Sequence, residues 1–148
     1  MSFAFVFPGQ GSQSVGMMAA YGDAAVVRAT FDEASAALGD DLWAMVADGP
    51  AELLTQTVNT QPVMLTAGIA AWRLWLEKGG KKPAVVAGPS LGEYSALVSA
   101  GVIDFKDAVP LVRLRAAAMQ EAVPVGTGAM AAILGLDTPG IVAACAEA

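Results

Sequence analysis

Ser90 lies between glycines in Gly88-Pro89-Ser90-Leu91-Gly92, and the residues on either side decide what that spacing can do. Val85-Val86-Ala87 is a short apolar, β-branched run ahead of it; Tyr94 to Ala100 behind it is apolar at helical spacing. The order is strand, sharp turn, helix. In that setting a serine is held at a strained bend, with its hydroxyl exposed at the carboxyl end of a parallel sheet and free to attack a carbonyl. The glycines are required because a Cβ at either position would crowd the neighbouring strand and helix. The first N–H groups of the following helix then face the anion that forms beside the serine. Without nucleophilic chemistry, the same stretch is a glycine-rich loop whose serine caps a helix.

Histidine is absent from all 148 residues. The commonest base for a serine nucleophile is therefore missing, so a carboxylate or lysine serves, or the base lies on sequence outside these residues. Glu93 stands beside the serine, but a carboxylate in the first helical turn is electrostatically favoured anyway, and capping or a surface ion pair suits it better. With no histidine and one cysteine, Cys145, a transition-metal site is not expected. The lone thiol reads as a small packed side chain, allows no internal disulfide and fits a reducing cytoplasm.

The loop Gly9 to Gly16 follows one strand and opens a helix, where phosphate binding has to be considered. A dinucleotide fingerprint needs glycine where Ser14 stands, and a Walker loop needs lysine where Met17 stands, so both patterns fail. Gln10, at the end of the first strand, can face the Ser90 turn and donate to an oxyanion; on spacing alone it is a solvated turn residue. Arg115 sits on an apolar helix, and Arg113 is rotated about 200° from it, so the two do not share a face. An arginine there needs a carboxylate. Spacing favours a structural partner, Glu93, Glu121 or a C-terminal acid, and leaves a substrate as the alternative.

These residues need a frame, and the hydrophobic pattern supplies one. Phe3 to Phe7 predicts a buried first strand closed by Pro8-Gly9, and 84–88 predicts a second. Between them, helices are expected from Val15, over Ala24 to Leu38, after a cap at Asp41, after Pro50 with Leu53 and Leu54 inward, and over a long stretch capped by Asn59 or Thr60 and ended by Gly79-Gly80. Asp104 is expected to cap a helix over 105–122 that contains Pro110. A hinge at 124–128, a strand over 129–134 and a helix capped by Thr138 follow. Strands and helices in βα order imply a mostly parallel α/β sheet, and two strands before the hinge are too few to complete one. The sequence reads as the first half of a larger fold.

The bulk properties exclude several classes. No apolar run approaches the 18 or so residues a membrane span needs, and no basic segment precedes an apolar one at the N-terminus. The net charge of −6, with scattered lysines and arginines, argues against a nucleic-acid surface.

Four stretches together resemble one family: Phe5-Val6-Phe7-Pro8-Gly9-Gln10-Gly11-Ser12-Gln13, Thr60-Gln61-Pro62, Ser90-Leu91-Gly92-Glu93-Tyr94-Ser95-Ala96-Leu97 and Met119-Gln120-Glu121-Ala122-Val123-Pro124. In order and spacing they resemble the N-terminal half of the malonyl-CoA:acyl-carrier-protein transacylases of bacterial fatty-acid synthesis. The resemblance implies that Ser90 carries the malonyl group, that Gln10 and the Leu91 N–H form the oxyanion hole, and that Arg115 grips the free carboxylate of malonate. It thereby reverses the reading of Gln10 and Arg115 from spacing. It implies malonyl-CoA and the acyl carrier protein as partners, no metal or redox cofactor, and a cytoplasmic setting. The implied fold is an α/β-hydrolase-like core over 1–124, incomplete here, with the first βα unit of a ferredoxin-like subdomain at 125–148. Two departures stand out. The family has histidine where Pro89 stands, and its catalytic histidine lies beyond residue 148. A non-catalytic portion that depends on a partner chain, or a general serine esterase, remain the alternatives.

Overall fold

A computed structural model of the chain describes residues 2–123, 127 and 133–147. Two strands, β1 (Ala4–Val6) and β2 (Val85–Ala87), pair in parallel with Ala4 opposite Val85, Phe5 opposite Val86 and Val6 opposite Ala87. Between them run α1 (Ala25–Leu38), α2 (Leu42–Ala47), α3 (Ala51–Leu54) and α4 (Thr57–Glu77). After β2 come α5 (Leu91–Ser99), α6 (Phe105–Ala122) and α7 (Thr138–Glu147). The architecture is α/β and mostly helical, with a small two-stranded parallel sheet.

The centre of the molecule is α4, which packs on α1, α5 and α6. Its residues 59–67 are buried without a break, and Ile69, Ala70 and Trp72 continue the buried surface. Its buried polar members, Asn59, Thr60, Gln61 and Thr66, are each hydrogen-bonded, so the helix can lie inside the protein on every side there. On α1, Val27, Phe31 and Ala34 recur at i, i+4 and i+7 and face α4, while the Phe31 ring meets Trp43 of α2 edge-on at 5.3 Å between centroids. On α6, Phe105, Ala108, Val109, Val112 and Ala116 form the matching stripe. Arg73 interrupts the apolar run of α4 without being stranded. It donates to Glu33 Oε2 at 2.6 Å and to Thr30 Oγ1 at 3.2 Å, with its guanidinium over the Phe105 ring.

Several expectations need correction. The first strand is buried on one side only: Phe7 is enclosed beneath Trp72, while Val6 is 66 % exposed. The region from Val15 forms turns and only a short 3₁₀ segment at Ala19–Tyr21. Helix α4 begins at Thr57, ahead of both expected caps. Asn59 and Thr60 instead reach back to the carbonyls of Leu53 and Leu54, at 3.0 and 2.6 Å, and tie α3 to α4. Leu54 is buried but Leu53 is exposed, since α3 is a single turn with one inward position. Asp104 precedes α6 without a side-chain cap bond, and α7 is capped by Asp137, which accepts from the Gly140 N–H, rather than by Thr138. The Asp41 cap forms as expected, accepting from Ala44 N–H at 2.9 Å. The expected hinge at 124–128 and strand over 129–134 fall largely outside the described residues. Among those residues no helix is long and apolar enough to cross a membrane.

The core assignment has a direct consequence. Phe31→Ala, at a fully buried site, is expected to cost about 3–5 kcal/mol in chemical denaturation. Val142→Ala, on the exposed face of α7, should change stability by no more than about 0.5 kcal/mol. Equal effects would contradict this packing.

Candidate active site

The Ser90 turn is built by crowding. A Cβ added to Gly92 would overlap the carbonyl oxygen of Phe7 at the end of β1, and one on Gly88 would overlap the Gly92 backbone. Strand and helix thus meet backbone to backbone, and the chain between β2 and α5 has only three residues in which to turn. Ser90 absorbs the strain, with φ 51° and ψ −110°, and it is the one non-glycine residue at positive φ among those described. Its side chain is exposed while Leu91 beside it is buried. The Gly92 N–H closes the turn on the Pro89 carbonyl at 2.8 Å, and the Glu93 N–H on the Ser90 carbonyl at 3.2 Å. The Leu91 N–H, at the start of α5, donates to no acceptor among the described residues.

Pro89 fits this turn without loss of a ladder bond. The last strand contact is Phe7 N–H to Ala87 O, at 2.8 Å, so a missing N–H at residue 89 falls beyond the pairing. The Pro89 carbonyl lies 3.3 Å from where a Gly9 Cβ would stand, which seats the Gly9–Gln10 loop against the Ser90 turn. Gln10 itself is exposed and donates through Nε2 to Thr57 Oγ1 at 3.1 Å.

Arg115 enters from α6. Its Nη2 donates to Ser90 Oγ at 2.8 Å, its Nη1 donates to Gln61 Oε1 at 2.7 Å, and its Cζ lies 5.7 Å from the centre of the Tyr94 ring. No carboxylate among the described residues lies within ion-pair distance of it. The structural partner that spacing favoured, whether Glu93 or Glu121, is therefore not the one observed. Arg113 points elsewhere, as its rotation requires, and pairs with Asp40 at 2.6 Å. Glu93 is exposed in the first turn of α5, and Cys145 is exposed on α7 rather than packed.

The arrangement brings Ser90, Leu91 and Arg115 into one place and sets the Gln10 loop beside them. It can present an oxygen nucleophile, a free backbone donor and a cation to a single small anionic group. Gln61 is the site residue that sequence reasoning did not single out. It follows Asn59 and Thr60 at the polar start of the long helix, so the sequence carried no sign of its burial, and only the fold shows that its amide must find partners.

The acyl transferase domain family model matches residues 4–147. The malonyl CoA-acyl carrier protein transacylase of Escherichia coli K12 is 64 % identical over 147 residues, covering 99 % of this chain and 48 % of that protein. A solved acyl-carrier-protein S-malonyltransferase from Burkholderia pseudomallei is 66 % identical with a TM-score of 0.90, over 99 % of this chain and 48 % of the other. A malonyl-transacylase solved in complex with a type II polyketide-synthase acyl-carrier protein is 61 % identical with a TM-score of 0.91, over the same shares. The chain spans about half the length of the relatives it matches.

The crowded turn makes its own prediction. Gly92→Ala is expected to lower stability by about 2–3 kcal/mol in urea denaturation, because strand and helix must part to admit the methyl group. An unchanged midpoint would mean that the two backbones are not in contact.

Proposed function

The chain belongs to the acyl transferase family, and on that footing we propose that Ser90 takes a malonyl group from malonyl-CoA and passes it to the thiol of an acyl carrier protein, in fatty-acid biosynthesis. The observation that carries this reading is the 2.8 Å hydrogen bond from Arg115 to Ser90 Oγ. A guanidinium keeps its charge at any physiological pH and, with no carboxylate beside it among the described residues, is matched by a carboxylate on the substrate. With the cation this close to the attacking oxygen, the fitting acyl group carries its free carboxylate a short reach from the reacting carbonyl. Malonate does.

In the proposed reaction Ser90 Oγ attacks the thioester carbonyl, the Oγ–C bond forms, and the C–S bond breaks with coenzyme A leaving as the thiol. The Leu91 N–H and the Gln10 amide stabilise the oxyanion between these events. The serine proton passes to a base that is not a histidine of these residues, and then to the departing sulfur. The carrier-protein thiol gives its proton to the same base and attacks the malonyl-serine ester; its sulfur bonds to the acyl carbon, the Oγ–C bond breaks, and that proton returns to Ser90 Oγ. An acetyl group would leave Arg115 without its partner, a loss that discriminates against it. The finer fold that accompanies this reading is an α/β-hydrolase-like core over 1–124 with a ferredoxin-like subdomain beginning at 125, supported by Ser90 standing at the carboxyl end of a parallel strand. A cytoplasmic setting belongs to the same reading and rests on the single cysteine.

The test uses the natural polypeptide that carries this sequence, incubated with malonyl-CoA and followed by intact mass. One malonyl adduct on Ser90 is expected, absent in Ser90→Ala, and Arg115→Ala should lower kcat/KM for malonyl-CoA by about 10²–10³-fold. An adduct that survives Ser90→Ala contradicts the assignment. Hydrolysis of simple esters indifferent to Arg115→Ala points instead to an esterase.

A further inference from the structure

Gln61 has no part in the reaction as written, yet it holds the second arm of the Arg115 guanidinium. Its side chain is fully buried on α4, its Oε1 accepts from Arg115 Nη1 at 2.7 Å, and its Nε2 donates to Met119 Sδ at 3.4 Å. We propose that Gln61 and Met119 form a lock that fixes where the Arg115 guanidinium lies, so that these two positioning residues set how strongly the protein prefers a carboxylated acyl thioester over a neutral one. The inference rests on the function proposed above.

Donor and acceptor parity dictates how the amide must lie. Arginine can only donate, so the amide atom facing it must be the oxygen. The nitrogen must then face the other way, where it needs an acceptor because a buried unpaired N–H is costly. Met119 Sδ is that acceptor, weak but correctly placed. A flipped amide would set N–H against N–H at Arg115, so the sulfur and the guanidinium enforce the same orientation from opposite ends. Both Arg115 and Met119 ride on α6, four residues apart and so on one face of it, while Gln61 comes from α4. The lock therefore spans the interface between the central helix and the helix that carries the cation. With Nη1 held by Gln61, Nη2 is the arm left facing the serine hydroxyl, where an incoming carboxylate arrives. If Gln61 only glued α4 to α6, its replacement would alter stability and leave substrate choice alone.

The test compares kcat and KM for malonyl-CoA and acetyl-CoA in the natural polypeptide, alongside thermal melts. Gln61→Glu keeps the shape but supplies Arg115 with a carboxylate from within. It should raise KM for malonyl-CoA about tenfold or more, move kcat less, and narrow the preference over acetyl-CoA. Met119→Leu removes only the sulfur acceptor and should shift KM the same way by about two- to fivefold, and Met119→Gln, with a carbonyl oxygen in reach, should recover it. Wild-type KM and selectivity in both Gln61→Glu and Met119→Leu overturn the lock while leaving the proposed function intact. A wild-type protein without preference for malonyl-CoA overturns that function, and the lock with it.

Discussion

Everything at this site follows from how closely the start of α5 approaches the end of β1. The Phe7 carbonyl occupies the space a side chain at residue 92 would need, so helix and strand touch through their backbones. Moving the helix outward would uncover Leu91, Ser95 and Ala96, all buried at its inner face. The connection is therefore compressed into a turn that only a left-handed residue completes, and the chain places a serine there instead of glycine. Positive φ costs a residue with a Cβ roughly 1 kcal/mol or more, which the surrounding core tolerates. What the strain achieves is direction: Ser90 projects outward while its neighbour turns in.

Helix α4 is the second requirement. It packs on α1, α5 and α6 together, so it fixes the distance between the serine turn and the helix that carries Arg115. Its apolar surface does this by burial, and its fully buried amide, Gln61, does it by hydrogen bonding. Two arginines on α6 show how the same residue type is put to different use. Arg113 is neutralised by Asp40, which ties α6 to the end of α1. Arg115, two positions on and on a different face, has only neutral partners among the described residues: a hydroxyl, an amide and the Tyr94 ring. A partly buried cation with only neutral partners among the described residues is consistent with the proposed role of binding a substrate carboxylate.

Much of this was legible in the sequence, for identifiable reasons. Helices α1, α4 and α6 were visible because their apolar positions recur at helical spacing over many turns. The Ser90 turn was visible because paired glycines between a β-branched run and a helical run mark a place where two backbones must come close. Errors gathered where local signals compete. Asn59 and Thr60 look like caps, but their side chains bond back to α3, a choice that depends on a neighbour brought close by folding. Thr138 and Asp137 are both capable caps, and only geometry separates them. The exposed side of β1 could not be read from Phe3 to Phe7, since a run that is apolar throughout has no alternation to mark its two faces. The partner of Arg115 was likewise out of reach, because Gln61 lies 54 residues away and an amide carries no charge pattern to betray it.

In the proposed function the Ser90 oxygen and the Arg115 guanidinium hold opposite ends of one acyl group. A crystal structure of the malonylated natural polypeptide tests this most directly. An ester is expected at Ser90 Oγ whose free carboxylate has displaced that oxygen from Arg115 Nη2, with the contact to Gln61 unchanged. A carboxylate turned to solvent, or an Arg115 side chain swung away from residue 90, would contradict it.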